Sequence, residues 1–370
     1  MCNIAGYVGE KRAAPILLDM IRRQQGFDGG ACTGIVTYHE GRLYYRKIVG
    51  DVDALIKSTD ALSLPGSIGI AHTRPGGSSE TYNFAHPFIT YDETMAGVTN
   101  GTSRGSTPGA VEKMTRMLEN GGYRFRGEAY LLNTESKMPR LRCGAFLSGA
   151  EVRLNGVHYY HNVKGMPIPE AMARVDSELY KDGVIEVLST EEPDRITVLR
   201  TSRPAATLKT DDGIYVASTR FAFPEEVSGE LGQLPLLHPC QIFKDKIVVT
   251  DAKIDGEEVA EITERTLDEA YKRIEALLEG KRDTPLYFDD LEYAVNREMR
   301  DIFEGDHTLV QDARVVYDVL WRLNEEGRLK TRLMLMEGGK RLEQDDPMYA
   351  DARNLPGSKN RIFMWIEDQI

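Results

Sequence analysis

The sequence predicts an α+β fold, because strand-like segments follow one another in runs and helical segments frame those runs. Residues 195–223 carry two or three such strands around an Asp-Asp-Gly turn, and residues 240–256 carry another hairpin pattern. From Thr263 onward, apolar residues recur mainly at helical spacing. A doubly wound parallel sheet would instead alternate strands and helices along the chain.

The elements of the first 125 residues follow from apolar spacing and from glycine-containing turns. In chain order they are a strand at 3–9, a helix at 13–26, a hairpin at 33–50 turning at Glu40-Gly41, strands at 66–74 and 94–101, and a helix at 108–125. The pattern loosens over 127–169, where Asn-Gly and Lys-Gly pairs indicate inserted hairpins or a long irregular excursion. Residues 170–188 again predict a helix.

The chain divides into two predicted regions. Its length of 370 residues exceeds what one hydrophobic core usually organises. We expect a main domain at 2–262, with an insertion at about 126–171, and a C-terminal region at 263–370. The last region contains a strong helical pattern that ends at Gly327 before two short strands, which indicates either a helical appendix or a winged-helix module.

Composition narrows the class of partner. The net charge is -12, which disfavours a nucleic-acid backbone or an anionic membrane surface as the partner. Small molecules or other proteins are the expected partners, and a homo-oligomer stays open. No apolar run suits a signal sequence or a membrane span, and the four scattered cysteines indicate no disulfide framework. We therefore expect a cytoplasmic protein.

Cys2 is the residue with the most distinctive chemistry. If Met1 is removed, the thiol and a free α-amino group share one Cα, and the pKa of such an amine is about 7.7 to 8.0. The amine is then a general base beside its own nucleophile. The alternative is an ordinary chain terminus without function.

Two other segments supply suitable partners for that nucleophile. Arg74 ends a predicted strand before a Gly-Gly-Ser-Ser turn, and its guanidinium could hold a carboxylate with help from Ser78 or Ser79. Asn100 and Gly101 could form an oxyanion hole. A surface arginine and a simple Asn-Gly turn are the structural alternatives.

The segments MCNIAGYVG, QQGFDGGACTGI, IAHTRPGGSSETYNFAHPF, TNG and RVDSELY occur in the order found in class II glutamine amidotransferases, which are N-terminal-nucleophile hydrolases. The chain resembles that family over about residues 2–125 and 172–250. Asn3 stands where the family has glycine, Gln25 where it has arginine, and Pro75 follows Arg74 in place of an aromatic residue. The resemblance implies a four-layer sandwich of two antiparallel sheets between helical layers.

The resemblance also implies roles for individual residues. Cys2 matches the nucleophile, Asn100 and Gly101 the oxyanion hole, Arg74 the ligand of the glutamine carboxylate, and Asp176 the ligand of its ammonium group. Ser78 and Ser79 would assist carboxylate binding. Asp28 would support the site, and His72 and His86 would have structural roles. No metal or cofactor is implied.

The implied activity is hydrolysis of the glutamine side-chain amide, with ammonia passed to a synthase or another ammonia-accepting subunit. Two alternatives stay open. One is a catalytically weak, glutamine-responsive regulatory protein whose C-terminal region contacts a protein or DNA. The other keeps the nucleophile but hydrolyses a different amide. A metal site at His158 and His161 is a further alternative, although an exposed strand is the simpler interpretation of that segment.

Overall fold

Two antiparallel sheets pack face to face, and helices cover the outer face of each. The computed structural model describes residues 2–75, 82–102, 108–130, 138–179, 182–337, 340–343 and 359–367. This arrangement confirms the α+β fold and the four-layer sandwich expected from the sequence.

The first sheet has seven strands. Their spatial order is β11 (Glu230–Gln233), β9 (Ala206–Thr210), β10 (Gly213–Ala217), β1 (Asn3–Gly9), β4 (Ile68–Arg74), β2 (Cys32–His39) and β3 (Arg42–Val49). Helices α1 (Ala13–Gln24) and α2 (Val52–Ser58) cover its outer face. The N-terminal strand therefore lies in the middle of the sheet, with a neighbour on each side.

The second sheet has six strands. Their order is β13 (Ile247–Val249), β12 (Cys240–Ile242), β8 (Ile196–Arg200), β7 (Asp182–Ser189), β6 (Met95–Thr102) and β5 (Phe88–Ile89). Helices α3 (Pro108–Asn120), α4 (Gly149–His158) and α5 (Ile168–Leu179) cover its outer face.

Two of the turns predicted from glycine are confirmed. Strands β2 and β3 join at Glu40-Gly41, and both residues have positive φ, at 44° and 79°. Glycine accepts this left-handed conformation without steric cost, which explains the tight hairpin. Strands β9 and β10 likewise join through the predicted Asp-Asp-Gly turn, and β12 pairs with β13.

The sequence predictions for two segments were wrong. Residues 149–163 form α4 and a π-helical turn (Tyr159–Val163), not hairpins. The helix predicted over 170–188 ends at Leu179, and residues 182–189 form β7. Helix α4 is buried on every face from Glu151 to His158, so it lacks the polar stripe by which an amphipathic helix is recognised.

The C-terminal region has its own sheet and core. Its elements are α6 (Glu264–Leu278), β14 (Leu286–Tyr287), α7 (Phe288–Arg297), α8 (Asp312–Glu325), β15 (Leu329–Glu337), β16 (Lys340–Leu342) and β17 (Lys359–Ile366). The sheet order is β14–β17–β15–β16. The winged-helix interpretation stays a prediction.

Helix α8 turns part of its surface toward the sandwich. The Tyr317 hydroxyl donates to Asn3 Oδ1 at 3.3 Å, and the Phe221 and Trp321 rings lie 5.0 Å apart between centroids. That surface of α8 is therefore already occupied by the rest of the chain.

Within the described ranges, no helix combines the length and apolarity needed to span a bilayer. Cys2, Cys32, Cys143 and Cys240 form no disulfides with one another, and of these only Cys143 is exposed.

One acidic group lies inside the sandwich. Strand β7 turns Val184, Glu186 and Leu188 toward the inter-sheet core, and Glu186 is fully buried. Neither carboxyl oxygen has a hydrogen-bond partner among the described residues, and a Cβ at Gly6 would lie 3.1 Å from Oε1. Burial raises the pKa of Glu186 well above its ordinary value, so the folded chain keeps this proton to a higher pH than the unfolded chain does.

We expect Glu186→Gln to stabilise the protein relative to wild type increasingly as pH rises. The raised pKa means that wild type retains this proton in the folded state, while the unfolded state loses it above the ordinary pKa of about 4.3. The difference in unfolding free energy should therefore grow by about 1.4 kcal/mol per pH unit between that value and the folded pKa.

Urea unfolding at pH 5 and pH 8 measures this difference. The control is Glu258→Gln, which alters an exposed carboxylate and should show little pH-dependent difference. An equal effect of Glu186→Gln at both pH values would contradict the assignment.

Candidate active site

Strand alternation gathers the predicted site residues on the inner faces of the two sheets. On β1, Ala5 faces the helices and Ile4 faces the inter-sheet core, so Cys2 lies on the inner side. On β6, Val98 faces the same core, which places Asn100 on the inner side as well. Cys2 and Asn100 therefore meet from opposite sheets.

The backbone nitrogen of Cys2 is held by Asn100. It donates to Asn100 Oδ1 at 3.1 Å. Asn100 Nδ2 in turn donates to Ser218 Oγ at 3.4 Å, and the same hydroxyl accepts from the backbone nitrogen of Ile4 at 3.1 Å. Ser218 therefore links the nucleophile strand to the oxyanion-hole asparagine. No motif in the sequence marks this serine; it follows β10, which is distant from Cys2 along the chain but pairs with β1 in the sheet.

Gly101 lies beside Asn100 where β6 and β7 approach closely. It pairs with Gly183, and a Cβ at Gly101 would lie 2.4 Å from the backbone oxygen of Asp182. Any larger residue would push the strands apart. Close packing of the two strands therefore requires glycine at position 101. The predicted role of the Gly101 N–H as an oxyanion-hole donor is a separate matter and stays a prediction.

Arg74 ends β4 close to Cys2. Its Nη1 donates to the backbone oxygen of Phe84 at 3.1 Å, which fixes the guanidinium near the end of the strand. Ser78 and Ser79, the predicted helpers in carboxylate binding, lie outside the described residues.

Asp176 lies on α5 in a buried ion pair. Arg153 Nε donates to Asp176 Oδ1 at 2.6 Å and Arg153 Nη2 donates to Oδ2, and both side chains are essentially inaccessible. An ammonium-binding role for Asp176 would require this pair to open. The ion pair is its observed contact, and the substrate-binding role stays a prediction.

The electrostatic surroundings of Cys2 contain both signs of charge. Burial is the largest influence and raises the pKa of the Cys2 thiol, and Asp28 raises it further. Arg74 and Arg203 lower the same pKa. Arg203, which no motif in the sequence marks, is buried; it lies 3.6 Å from Asp182 and 3.3 Å from Asp312 of the C-terminal region.

Two histidine rings lie against each other near the backbone carbonyl that precedes Asn100. The rings of His72 and His86 have centroids 3.9 Å apart, and the His72 Nε2 atom lies 3.0 Å from the backbone oxygen of Thr99. Burial, and then the charge of Arg74, lower the pKa of His72 to about 3. An uncharged His72 with Nε2 protonated donates to the carbonyl preceding Asn100 and helps to hold that strand.

The two histidines considered for metal binding bind other protein groups instead. His158 Nδ1 lies 2.8 Å from the Tyr123 hydroxyl and its Nε2 lies 2.9 Å from Asp92 Oδ2. His161 Nε2 lies 3.0 Å from Glu191 Oε2. The exposed-strand interpretation of this segment is corrected, because both residues are helical. In the described part of the chain, no group of three or more His, Cys, Asp or Glu side chains is arranged to hold a metal ion.

The chain is similar in sequence to enzymes named glutamine–fructose-6-phosphate aminotransferase [isomerizing]. It is 29% identical to that of Caldanaerobacter subterraneus over 207 residues, covering 55% of this chain and 29% of the relative. It is 32% identical to that of Pyrococcus horikoshii over 130 residues, covering 35% of this chain and 21% of the relative. The similarity thus spans less than a third of either enzyme. No family model matches the chain.

Solved structures show the same fold. Glutamine phosphoribosylpyrophosphate amidotransferase from B. subtilis superposes with a TM-score of 0.53 at 18% identity, covering 73% of this chain and 52% of that one. A structure described as the allosteric regulatory enzyme of purine biosynthesis gives a TM-score of 0.54 at 15% identity, covering 98% of this chain and 71% of that one. The shared sandwich fold and the sequence similarity to these enzymes agree with the resemblance of residues 2–125 and 172–250 to class II glutamine amidotransferases of the N-terminal-nucleophile type.

Proposed function

We propose that the chain hydrolyses the side-chain amide of glutamine through Cys2 once Met1 has been removed. The observation that carries the proposal is the bond from the Cys2 nitrogen to Asn100 Oδ1, at the point where β1 and β6 meet. After removal of Met1 that nitrogen is the α-amine. Asn100 would then orient the base and, through its other side-chain atom, stabilise the oxyanion.

The chemistry proceeds in two halves. The amine takes the thiol proton as sulfur attacks the amide carbon, and Asn100 Nδ2 with the Gly101 N–H stabilises the oxyanion. Collapse of the tetrahedral intermediate breaks the carbon–nitrogen bond, and the protonated amine gives its proton to the departing ammonia. Water then attacks the γ-glutamyl thioester with the amine as base, which releases glutamate and restores the thiol.

Arg74 is proposed to bind the glutamine α-carboxylate. Its fixed position near Cys2 supports this role, and a guanidinium can bind a carboxylate with two parallel bonds. We expect Arg74→Lys to raise KM for glutamine about tenfold or more with a smaller effect on kcat, because lysine keeps the charge but loses the planar fork. Steady-state kinetics measure both constants. An unchanged KM would show that Arg74 does not bind the glutamine carboxylate.

We also propose that ammonia is consumed at a site outside these 370 residues, on a partner synthase or another acceptor subunit. The relatives are named as aminotransferases, and the matched portion covers only part of them. The proposed division near residue 263 is supported by the separate four-stranded sheet and core of the C-terminal region. A cytoplasmic location and a homo-oligomeric state stay predictions.

The regulatory alternative is less well supported than catalysis. The relatives carry enzyme names. The alternative that Cys2 hydrolyses a different amide can be distinguished from glutamine hydrolysis by competition. Glutamine, asparagine and a peptide amide are each tested for their ability to protect Cys2 against alkylation by iodoacetamide. Protection by glutamine together with glutamate release supports the proposal. Protection only by another amide would contradict it.

A further inference from the structure

The C-terminal region reaches the loop that borders Cys2. We define the Asp28 loop as residues 25–31, between α1 and β2. We propose that Arg361 and Tyr317, from the C-terminal region, are positioning residues that hold the Asp28 loop and Asn3 around Cys2, so that this region forms part of the glutaminase site. This inference rests on the proposed function.

The first contact is a backbone hydrogen bond between β17 and the Asp28 loop. The backbone nitrogen of Ile362, on β17, donates to the oxygen of Gly26 at 2.7 Å. A Cβ at Gly26 would lie 2.5 Å from Ile362 Cγ1. Glycine therefore allows the strand to approach the Asp28 loop closely enough for a direct hydrogen bond.

The second contact is an aromatic anchor. Phe27 is only 4% exposed and belongs to the core of the C-terminal region. Its ring centroid lies 5.0 Å from that of Phe221, 5.6 Å from that of Tyr317 and 6.3 Å from that of Phe288. The Asp28 loop is therefore held by a side chain that the C-terminal region buries.

The third contact is a buried ion pair. Arg361 Nη1 lies 2.9 Å from Asp28 Oδ1, and the exposed fractions of the two side chains are 4% and 0%. A buried pair of this kind becomes costly when one partner is removed, because the remaining charge is left without compensation. Arg361 thereby fixes Asp28 and offsets its negative charge beside the Cys2 thiol.

The fourth contact reaches the residue after the nucleophile. Asn3 Nδ2 donates to the backbone oxygens of Gln24, at 2.9 Å, and Asp28. Asn3 Oδ1 accepts from the Tyr317 hydroxyl at 3.3 Å. A glycine at position 3 could make none of these side-chain bonds. The asparagine at this position is thus explained by a partner more than 300 residues away, and it joins Cys2, the Asp28 loop and α8.

These contacts link the C-terminal region to the reactivity of the Cys2 thiol as well as to the conformation of the Asp28 loop. Asp28, Arg74 and Arg203 are the charged side chains that influence the Cys2 thiol, and Asp28 alone of the three raises its pKa. Removing Arg361 would take away a positive charge that offsets Asp28 and would leave that carboxylate less firmly placed. The loss of positive charge near Asp28 opposes formation of the thiolate, and the looser loop disturbs the placement of Cys2.

The test compares full-length, processed wild type with Arg361→Gln, Arg361→Lys and Tyr317→Phe. The matched control is Arg332→Gln, which removes an exposed arginine of the same sheet that pairs with Glu343. Glutamine kcat and KM are measured together with the rate of Cys2 alkylation by iodoacetamide between pH 6 and 10, and circular dichroism confirms folding.

We expect Arg361→Gln to lower kcat about ten- to a hundredfold, since small misplacements of reacting groups have effects of this size. The alkylation profile should move to higher pH. Arg361→Lys should recover part of the loss, and Tyr317→Phe, which removes only the hydroxyl, should show a smaller loss. Arg332→Gln should match wild type.

Kinetics and alkylation of folded Arg361→Gln and Tyr317→Phe that match Arg332→Gln would overturn the inference. If Arg361→Gln does not fold, Tyr317→Phe alone decides the result. Absence of glutamate release by wild type, with altered alkylation in the two variants, would instead refute the proposed function while supporting the positioning role.

Discussion

Replacing Cys2 by alanine is expected to lower glutamine hydrolysis by at least about 10⁴-fold, because removing the nucleophile of a covalent mechanism removes both halves of the reaction. Glutamate release by processed protein measures the effect. Cys143→Ala is the matched control, since Cys143 is an exposed free thiol and its loss should leave the rate unchanged.

The same assay tests the role of the amine. Protein that retains Met1 has an amide nitrogen at Cys2 and therefore no base on that residue. Intact mass separates the two forms, and only the processed form should release glutamate. Equal activity of the two forms would contradict the assignment of the α-amine as the base.

Changing Asn100 to aspartate is expected to lower kcat about 10²- to 10³-fold, the usual effect of losing one oxyanion-hole donor. Aspartate has nearly the same shape and keeps an oxygen that can accept from the Cys2 nitrogen, whereas Nδ2 and its bond to Ser218 are lost. The change should therefore act mainly on kcat, with a smaller effect on KM.

A control for this variant is available in Ser218. Ser218→Ala keeps the Asn100 amide but removes the oxygen that it contacts at 3.4 Å, so its loss of activity should be smaller. A wild-type kcat for Asn100→Asp would show that Asn100 does not donate to the oxyanion.

The individual strands and helices could be predicted because their signals are local, whereas the four-layer sandwich was implied only by the resemblance to class II glutamine amidotransferases. The Glu40-Gly41 turn, the apolar run of β1 and the helical spacing of α1 each lie within a few residues. The Cys2 and Asn100 pairing could also be anticipated, since both occur in recognisable short segments. The sequence alone could not show that the side chains of Cys2 and Asn100 both lie between the two sheets, because that depends on which face of each strand is turned inward.

The missed features depend on distant contacts. Ser218, Arg203, Tyr317 and Arg361 stand in segments without a motif, and their importance comes from where the fold brings them. Helix α4 was missed for a different reason. It is buried all round and contains an Asn-Gly pair, so neither amphipathic spacing nor turn chemistry indicated a helix.

The central claim is that Cys2 carries a glutamine-derived acyl group during the reaction. Processed protein is mixed with glutamine, quenched in acid within milliseconds to seconds, and digested for mass spectrometry of the N-terminal peptide. The account predicts a transient γ-glutamyl adduct on Cys2 that accumulates before glutamate and is absent from Cys2→Ala. Glutamate release with no adduct on Cys2 at any time, and at the same rate in Cys2→Ala, would contradict it.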